Sequence, residues 1–106
     1  MNKETAIKIF EQKKIRSHWD DDHEKWYFSV VDVIQVLTES VDVASYWRKL
    51  KQRLKQEGNE TVTNLHGLKM IAADGKKRLT DVADTEQLFR LIQSVPLPKN
   101  LMQKII

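Results

Sequence analysis

The stretch from Val43 to Gln56 constrains this 106-residue chain more than any other, because its apolar side chains recur at helical spacing. Asp42 precedes it as an N-cap residue, and Gly58 follows it as a residue suited to the left-handed position after a helix. At about 100° per residue, the apolar side chains share one arc of the helix. They are Val43, Tyr46, Trp47, Leu50 and Leu54. The sequence therefore predicts an amphipathic helix with one face in the core.

The outer positions of this helix are mostly basic or amide side chains, and no acidic residue occurs between Val43 and Gln56. Surface helices usually mix acidic with basic residues, because pairs four residues apart stabilise a helix and like charges repel. Cations without such partners favour a phosphate ligand, and Gln side chains can read base edges in a major groove. We therefore expect a DNA-binding face, with a plain solvated surface as the alternative. Its residues are Arg48, Lys49, Lys51, Gln52, Arg53, Lys55 and Gln56.

Two further helices are predicted from capping residues and apolar spacing. Ser29, with Asp32 three residues later, resembles a capping box, and the run that follows Ser29 is apolar almost all round, which is typical of a buried helix. The other helix begins at Asp84 or Thr85, carries apolar side chains at 3.6-residue spacing and ends before Pro96.

A first hairpin is predicted around the acidic segment DDDHE. Residues 6–20 alternate weakly at period two, which indicates two short strands or one bent strand, and the segment KWYF after the turn favours a strand. Any even-numbered loop would place Ile15, Trp19, Trp26 and Phe28 on one face of the hairpin. We expect that face to be buried.

A second hairpin is predicted where LKMIA and KKRLT flank the pair Asp74-Gly75, which suits a two-residue type I′ turn. Four cations surround this turn. They are Lys69, Lys76, Lys77 and Arg78. Basic turns are common on solvated surfaces, but beside a recognition helix this one would form a wing whose cations bind phosphates. We count these four among the expected DNA-binding residues.

The elements follow the order hairpin, helix, helix, hairpin, helix, which is typical of the α+β class. We predict two β-hairpins that form a small antiparallel sheet packed against about three α-helices. The length suits one domain, which we place at residues 6–96. The remaining residues, 97–106, are apolar up to the last position, and we expect them to be a tail cut from a longer protein.

The composition argues against several function classes. Cysteine is absent, so the chain has no thiol nucleophile, disulfide or zinc knuckle. It also lacks a Gly-rich phosphate loop and the common hydrolase and metalloprotease motifs. We therefore expect no enzyme activity, no catalytic residues and no cofactor.

A metal site is the alternative reading of the acidic turn, because His18 and His23 flank Asp20–Asp22. A calcium-binding loop from Asp20 would need Gly at its sixth position and Glu at its twelfth, where Lys25 and Val31 stand. A zinc site would lie on an exposed turn with no supporting residues in view. Aspartates are common turn residues in their own right, and we predict no metal site.

Charge and hydropathy bear on partners and location. The net charge of +3 is a mild excess that permits anionic partners. The N-terminus lacks the apolar region of a signal peptide, and no segment approaches the roughly 18 apolar residues of a membrane span. We expect a cytoplasmic protein with no membrane partner.

Three segments form a distinctive succession, and they are the aromatic strand that enters SVVDV (Trp26 to Val33), the pair Tyr46 and Trp47 in the basic helix, and DTEQLFRLI (Asp84 to Ile92) before a proline. This succession resembles the Bro-N domain, which is the N-terminal module of baculovirus repeated-ORF proteins and of many phage and prophage antirepressors. The resemblance runs from about Ile7 to Ser94. After the proline the family usually continues with further helical sequence, whereas this chain has LPKNLMQKII.

The Bro-N family also includes proteins similar to the DNA-damage-inducible protein D of bacteria, and it is associated with DNA binding and regulation. The resemblance implies a DNA-binding regulatory module of a phage or prophage antirepressor or a DNA-damage-response protein. Its partner would be double-stranded DNA, in the nucleoid of a bacterial or phage-infected cell. The alternative is a protein–protein interaction module that captures a repressor or other regulator without binding DNA, and a homodimer stays open. The family's motif positions, which we expect in the core, match Trp26, Phe28, Val33, Tyr46, Trp47, Leu88 and Leu91.

Overall fold

The computed structural model describes residues 15–95, which contain four strands and four helices. The strands are β1 (Ser17–Asp20), β2 (Lys25–Ser29), β3 (His66–Ile71) and β4 (Lys77–Asp84). The helices are α1 (Val30–Thr38), α2 (Val43–Gln56), the single turn α3 (Glu60–Thr63) and α4 (Thr85–Ser94). The predicted α+β class is confirmed, with two hairpins in one antiparallel sheet against which helices pack. The strand prediction for residues 6–14 and the tail prediction for residues 97–106 lie outside the described residues.

The sheet has the strand order β1-β2-β4-β3, so hairpin 1 (β1 and β2) lies beside hairpin 2 (β3 and β4). The central pair, β2 and β4, is antiparallel, with Tyr27 opposite Asp84 and Ser29 opposite Val82. The turn of hairpin 1 therefore lies beyond the end of β4, whereas the turn of hairpin 2 precedes the start of β4. The two turns project from opposite ends of the sheet, separated by the length of β4, which is about 23 Å.

Hairpin 1 closes with a four-residue loop, so the predicted even parity is confirmed and Trp19 lies directly opposite Trp26. The prediction that both tryptophans are buried is wrong. Their rings meet edge to face at 5.4 Å, but the residues are 41% and 48% exposed. The helices cover the other end of this face, because α1 begins immediately after β2, and there Phe28 packs against the core. The Trp pair lies nearer the turn, beyond the helices.

Hairpin 2 differs from the predicted two-residue type I′ turn, which requires positive φ at both central residues. Only Gly75 has a positive φ there, +82°. The Gly75 N–H donates to the Ala72 carbonyl at 2.9 Å, and the Ala72 N–H donates to the Lys76 carbonyl at 2.8 Å. The loop is therefore three residues long, with Gly75 in the left-handed position, which is the next most common class of hairpin connection.

The predicted N-caps are confirmed, and each cap side chain accepts a backbone N–H of its first turn. They are Ser29, Asp42 and Asp84. Gln87 completes a reciprocal capping box with Asp84. The box expected between Ser29 and Asp32 is only half formed, because the Ser29 N–H donates to the Arg16 carbonyl.

Helix α2 ends as the sequence predicts, because Gly58 has a φ of +80° just beyond its last turn. The Gly58 N–H donates to the Lys55 carbonyl, and the Asn59 N–H donates to the Leu54 carbonyl. These two bonds define a Schellman motif, which satisfies carbonyls that the helix leaves unpaired.

The main core lies between the sheet and the helices. Its buried members are Val30, Val33, Ile34, Leu37, Trp47, Leu50, Leu54, Val62, Ala83, Leu88, Leu91, Ile92 and Val95. Of the seven positions assigned to the core by the Bro-N resemblance, four are buried, while Phe28 and Tyr46 are half-buried and pack against this cluster. Trp26 is exposed instead, because it lies near the turn of hairpin 1, beyond the helices. A smaller cluster of Tyr27, Met70 and Val82 occupies the other face of the sheet.

Candidate nucleic-acid interface

The predicted DNA-binding residues of α2 divide between two flanks of the helix. Five of them border one shallow depression, and they are Arg48, Lys51, Gln52, Lys55 and Gln56. Lys49 and Arg53 lie on the other flank, because each is about 100° or more around the helix from the three cations Arg48, Lys51 and Lys55. The structure therefore brings together three cations and two amides within two turns, which is the combination that phosphate and base contacts require.

Lys51 of α2 is held in place by Asp81, an acidic residue that lies outside the helix, on strand β4. The Lys51 Nζ lies 2.7 Å from Asp81 Oδ2, and the indole N–H of Trp47 donates to the same oxygen at 2.8 Å. Burial works against the charged carboxylate, but these two hydrogen bonds and the charges of Lys51 and Lys55 outweigh it and hold the pKa of Asp81 below its ordinary value. The ion pair attaches the basic helix to the sheet.

The prediction that all five helix cations have no counter-ion is thus wrong. Lys51 pairs with Asp81, and Arg53 lies 3.8 Å from Glu57, one residue beyond α2. Both acids fall outside the stretch in which the sequence shows none. Among the described residues, Arg48, Lys49 and Lys55 are exposed and have no ion-pair partner within 4 Å.

The cations of hairpin 2 are divided by the alternation of side chains along a strand. Lys69 and Lys77 lie on the face that carries Asp81, and therefore on the same face of the sheet as α2. Arg78 lies on the opposite face and forms an ion pair with Asp74 of the turn. Lys76 belongs to the turn itself and is exposed.

The cations on the α2 side lie on the same side of the sheet, and we call them the basic strip. Its members are Arg48, Lys51 and Lys55 of α2, and Lys69 and Lys77 of hairpin 2. The link between the two parts is Asp81 of β4, which contacts Lys51 and lies on the same face of hairpin 2 as Lys69 and Lys77. Among the wing cations predicted from sequence, two thus join the helix surface, Lys76 lies in the turn and Arg78 faces away.

Sequence reasoning missed Asp81 and Leu79 at this surface. Asp81 lies 30 residues from Lys51 in the chain, so no local pattern connects them. Leu79 is 75% exposed on the same face as Asp81, beside Lys69 on the neighbouring strand. The only sequence signal was that Leu79 interrupts a basic and polar segment, where a leucine is out of place on a solvated strand.

The other face of the sheet carries the histidine-bordered groove, which His18, His23 and His66 share with Asp20 and Tyr27. The His23 Nδ1 lies 2.8 Å from Asp20 Oδ2, and this hydrogen bond is the main cause that holds the pKa of Asp20 below its ordinary value. Asp20 also accepts the backbone N–H groups of residues 22 and 23, as a turn aspartate does. Across residues 15–95, no three His, Asp or Glu side chains are grouped so as to hold a metal ion.

Comparisons of the chain with protein-family models, with curated proteins and with solved structures each returned no match. In the part of the chain that the structure describes, no helix is both long enough and apolar enough to cross a membrane. The case for a function therefore depends on the chemistry of the basic strip.

Proposed function

We propose that this chain is a DNA-binding regulatory module that contacts the phosphates of duplex DNA through α2, with hairpin 2 as a supporting wing. The resemblance to Bro-N domains suggests the setting, a phage or prophage antirepressor or a DNA-damage-response protein. Lys and Arg side chains would bind DNA phosphates and so fix the position of the protein along the duplex, while Gln52 and Gln56 would face the bases.

The observation that carries this proposal is the basic strip itself. Five cations from two distant segments lie on one side of the molecule, and the acid among them, Asp81, is already engaged by Lys51 and Trp47. Such an arrangement concentrates positive potential, and phosphates that bind it release counterions. The acidic turn of hairpin 1, which phosphates would repel, projects from the opposite end of the sheet.

The proposal is tested by reversing charge on one flank of α2. The variant Arg48→Glu with Lys55→Glu changes two exposed cations and leaves Lys51, which anchors the helix to Asp81. Binding of a labelled duplex is measured across ionic strength. We expect the slope of log K against log salt to fall in magnitude by about two, because each phosphate contact contributes about 0.9.

The matched control reverses charge on the other flank of the same helix, with Lys49→Glu and Arg53→Glu. This control changes the net charge by the same amount. If binding depended only on net charge, the two variants would lose affinity to the same extent. We expect the control to keep most of the wild-type slope, and thermal melting to show that both variants are folded. Equal losses in the two variants, or wild-type binding that ignores salt, would contradict the proposal.

A second candidate function is capture of a regulatory protein, which the exposed Trp19 and Trp26 favour. Tryptophan is enriched at protein interfaces, and these two rings form a ready apolar surface beside an acidic turn. In nuclease-treated extract, a protein recovered by the Arg48→Glu, Lys55→Glu variant but lost by Trp19→Ala, Trp26→Ala would support this function. Recovery that needs nucleic acid would count against it.

A further inference from the structure

Hairpin 2 carries a small apolar surface among its cations, formed by Ile71 and Leu79. Lys69 is directly opposite Leu79, and Ile71 is directly opposite Lys77. All four side chains share one face, because positions two apart on a strand point the same way. The two apolar residues therefore occupy one diagonal of a square and the two lysines occupy the other, close enough for diagonal neighbours to touch.

The apolar residues of this face are exposed, whereas two residues that alternate with them on the other face are buried. Ile71 is 61% and Leu79 is 75% exposed, while Met70 and Thr80, which alternate with them, are buried. Burial of an exposed leucine or isoleucine in a partner is favourable, and the flanking lysines select an anionic partner. An apolar pair framed by cations is suited to a ligand with apolar surface between two lines of negative charge.

The position of Leu79 follows from Gly67 on the neighbouring strand. A methyl group at Gly67 would lie 3.1 Å from Leu79 Cδ1, so the leucine side chain leans over the glycine. Gly67 is opposite Asp81, which binds Lys51 of α2. Leu79 thus lies beside Lys69, and along β4 it lies between Lys77 and Asp81, the residue that binds the basic helix.

We propose that Leu79 and Ile71 form an apolar wedge that presses against the base pairs of the minor groove and bends the DNA, with Lys69 and Lys77 on the phosphates that border the groove. This inference rests on the proposed DNA binding and specifies its mode. Minor-groove proteins use Leu, Ile and similar side chains to open base steps and kink the duplex by roughly 20–90°. The flexible pyrimidine–purine steps of DNA are the easiest to deform.

The test measures bending and binding separately. A duplex of two helical turns with a central TA step carries donor and acceptor dyes at its two ends, and energy transfer reports the end-to-end distance. We expect the wild-type protein to raise energy transfer and to prefer this duplex to one with a central A-tract. The variant Ile71→Ala with Leu79→Ala should bind roughly tenfold more weakly, and should lose the bend and the preference.

Two further variants control this experiment. Val41→Ala shortens an exposed apolar side chain between α1 and α2, away from the basic strip, and should change neither binding nor energy transfer. Leu79→Lys adds a cation in place of the wedge. If hairpin 2 contacts phosphates alone, Leu79→Lys binds more tightly and the DNA stays as bent as before; the wedge predicts that the bend is lost.

Each outcome separates the wedge from DNA binding itself. Wild-type protein that binds with no rise in energy transfer overturns the wedge and leaves the proposed function standing, whereas no binding at all overturns both. Analytical ultracentrifugation tests the remaining alternative, in which this face is a dimer interface. If Ile71→Ala with Leu79→Ala dissociates a dimer and leaves DNA bending unchanged, this face joins two copies of the chain and the wedge is wrong.

Discussion

The two hairpins of the sheet have similar architecture, but the charges at their turns are opposite in sign. Hairpin 1 has an acidic turn beside the exposed pair Trp19 and Trp26, and hairpin 2 has a basic turn beside the exposed pair Ile71 and Leu79. Because β2 and β4 are antiparallel, these ends lie about 23 Å or more apart. The molecule is electrically polar along its strands although its net charge is only +3.

The hairpins also differ in how they are attached to the helices. Arg16, just before β1, makes a two-pronged bond to Asp32 of α1 at 2.8 and 3.1 Å and donates to the Ile71 carbonyl. Hairpin 2 is attached to α2 through Asp81. A cation therefore anchors the acidic hairpin, and an anion anchors the basic one.

The largest expected effect comes from charge reversal at the two ends. Lys69→Glu with Lys77→Glu should lower the salt slope of DNA binding by about two, as two lost phosphate contacts require. Asp22→Lys with Glu24→Lys, in the opposite turn, should change the slope by less than one, because charges farther away than the ~10 Å Debye length are screened. Titrations of a labelled duplex at several salt concentrations make the comparison. Equal responses at both ends would show that position within the sheet is irrelevant.

The next effect concerns the anchor of hairpin 1. Arg16→Ala should lower the free energy of unfolding by about 2 kcal/mol, because charged, partly buried hydrogen bonds to Asp32 and Ser29 are lost. Arg90→Ala is the control, since its pair with Glu86 is exposed and such pairs contribute about 0.5 kcal/mol or less. Urea unfolding measures both. Losses of similar size would mean that Arg16 is only another surface charge.

The anchor of hairpin 2 makes a pH-dependent contribution. The pKa of Asp81 is lowered in the folded protein, so its stabilisation is complete above the ordinary Asp value of about 3.9 and is lost as pH falls through the lowered pKa. Asp81→Asn should therefore cost about 1.5 kcal/mol at neutral pH and progressively less in acid. Asp22→Asn, in the exposed turn, is the control. A cost for Asp81→Asn that is the same at pH 7 and in strong acid would refute this account.

The smallest effects, opposite in sign, are expected in the two turns. Gly75 has a φ of +82° with open space around it, so Gly75→Ala should cost about 1 kcal/mol through backbone strain alone. Glu24 has a φ of 51° in the other turn, and Glu24→Gly removes the strain of a side chain there, for a gain of up to about 0.5 kcal/mol. Thermal melting resolves both. Destabilisation by Glu24→Gly would mean that its side chain matters more than its backbone.

Local signals predicted the elements of this fold well, because the groups that start and stop them are neighbours in the chain. Asp42 and Gly58 bound α2 as their chemistry requires, and Asp84 caps α4. The hairpin turns were placed correctly, but the type of the second was not. Asp-Gly fits either a two-residue or a three-residue loop, and the pairing of Ala72 with Lys76 decides between them.

Burial was predicted less well, because strand alternation tells which face a side chain is on and not whether anything covers that face. Trp26 and Phe28 share a face, yet Trp26 is 48% exposed while Phe28 packs against the core. The difference arises because α1 and the neighbouring helices cover Phe28 but do not extend over Trp26. Leu79 and Ile71 at the other end of the sheet are exposed for the same reason.

The sequence by itself determined the α+β class, the starts of α1, α2 and α4 and the concentration of cations on α2, since all of these depend on residues within a few turns of one another. Only the tertiary structure decided which cations share a surface. Strand register placed Lys69 and Lys77 on the α2 side and Arg78 on the other, and Asp81 reached Lys51 from 30 residues away. Long-range pairing is not encoded in any local pattern, and it is what turns a basic helix and a basic hairpin into one strip.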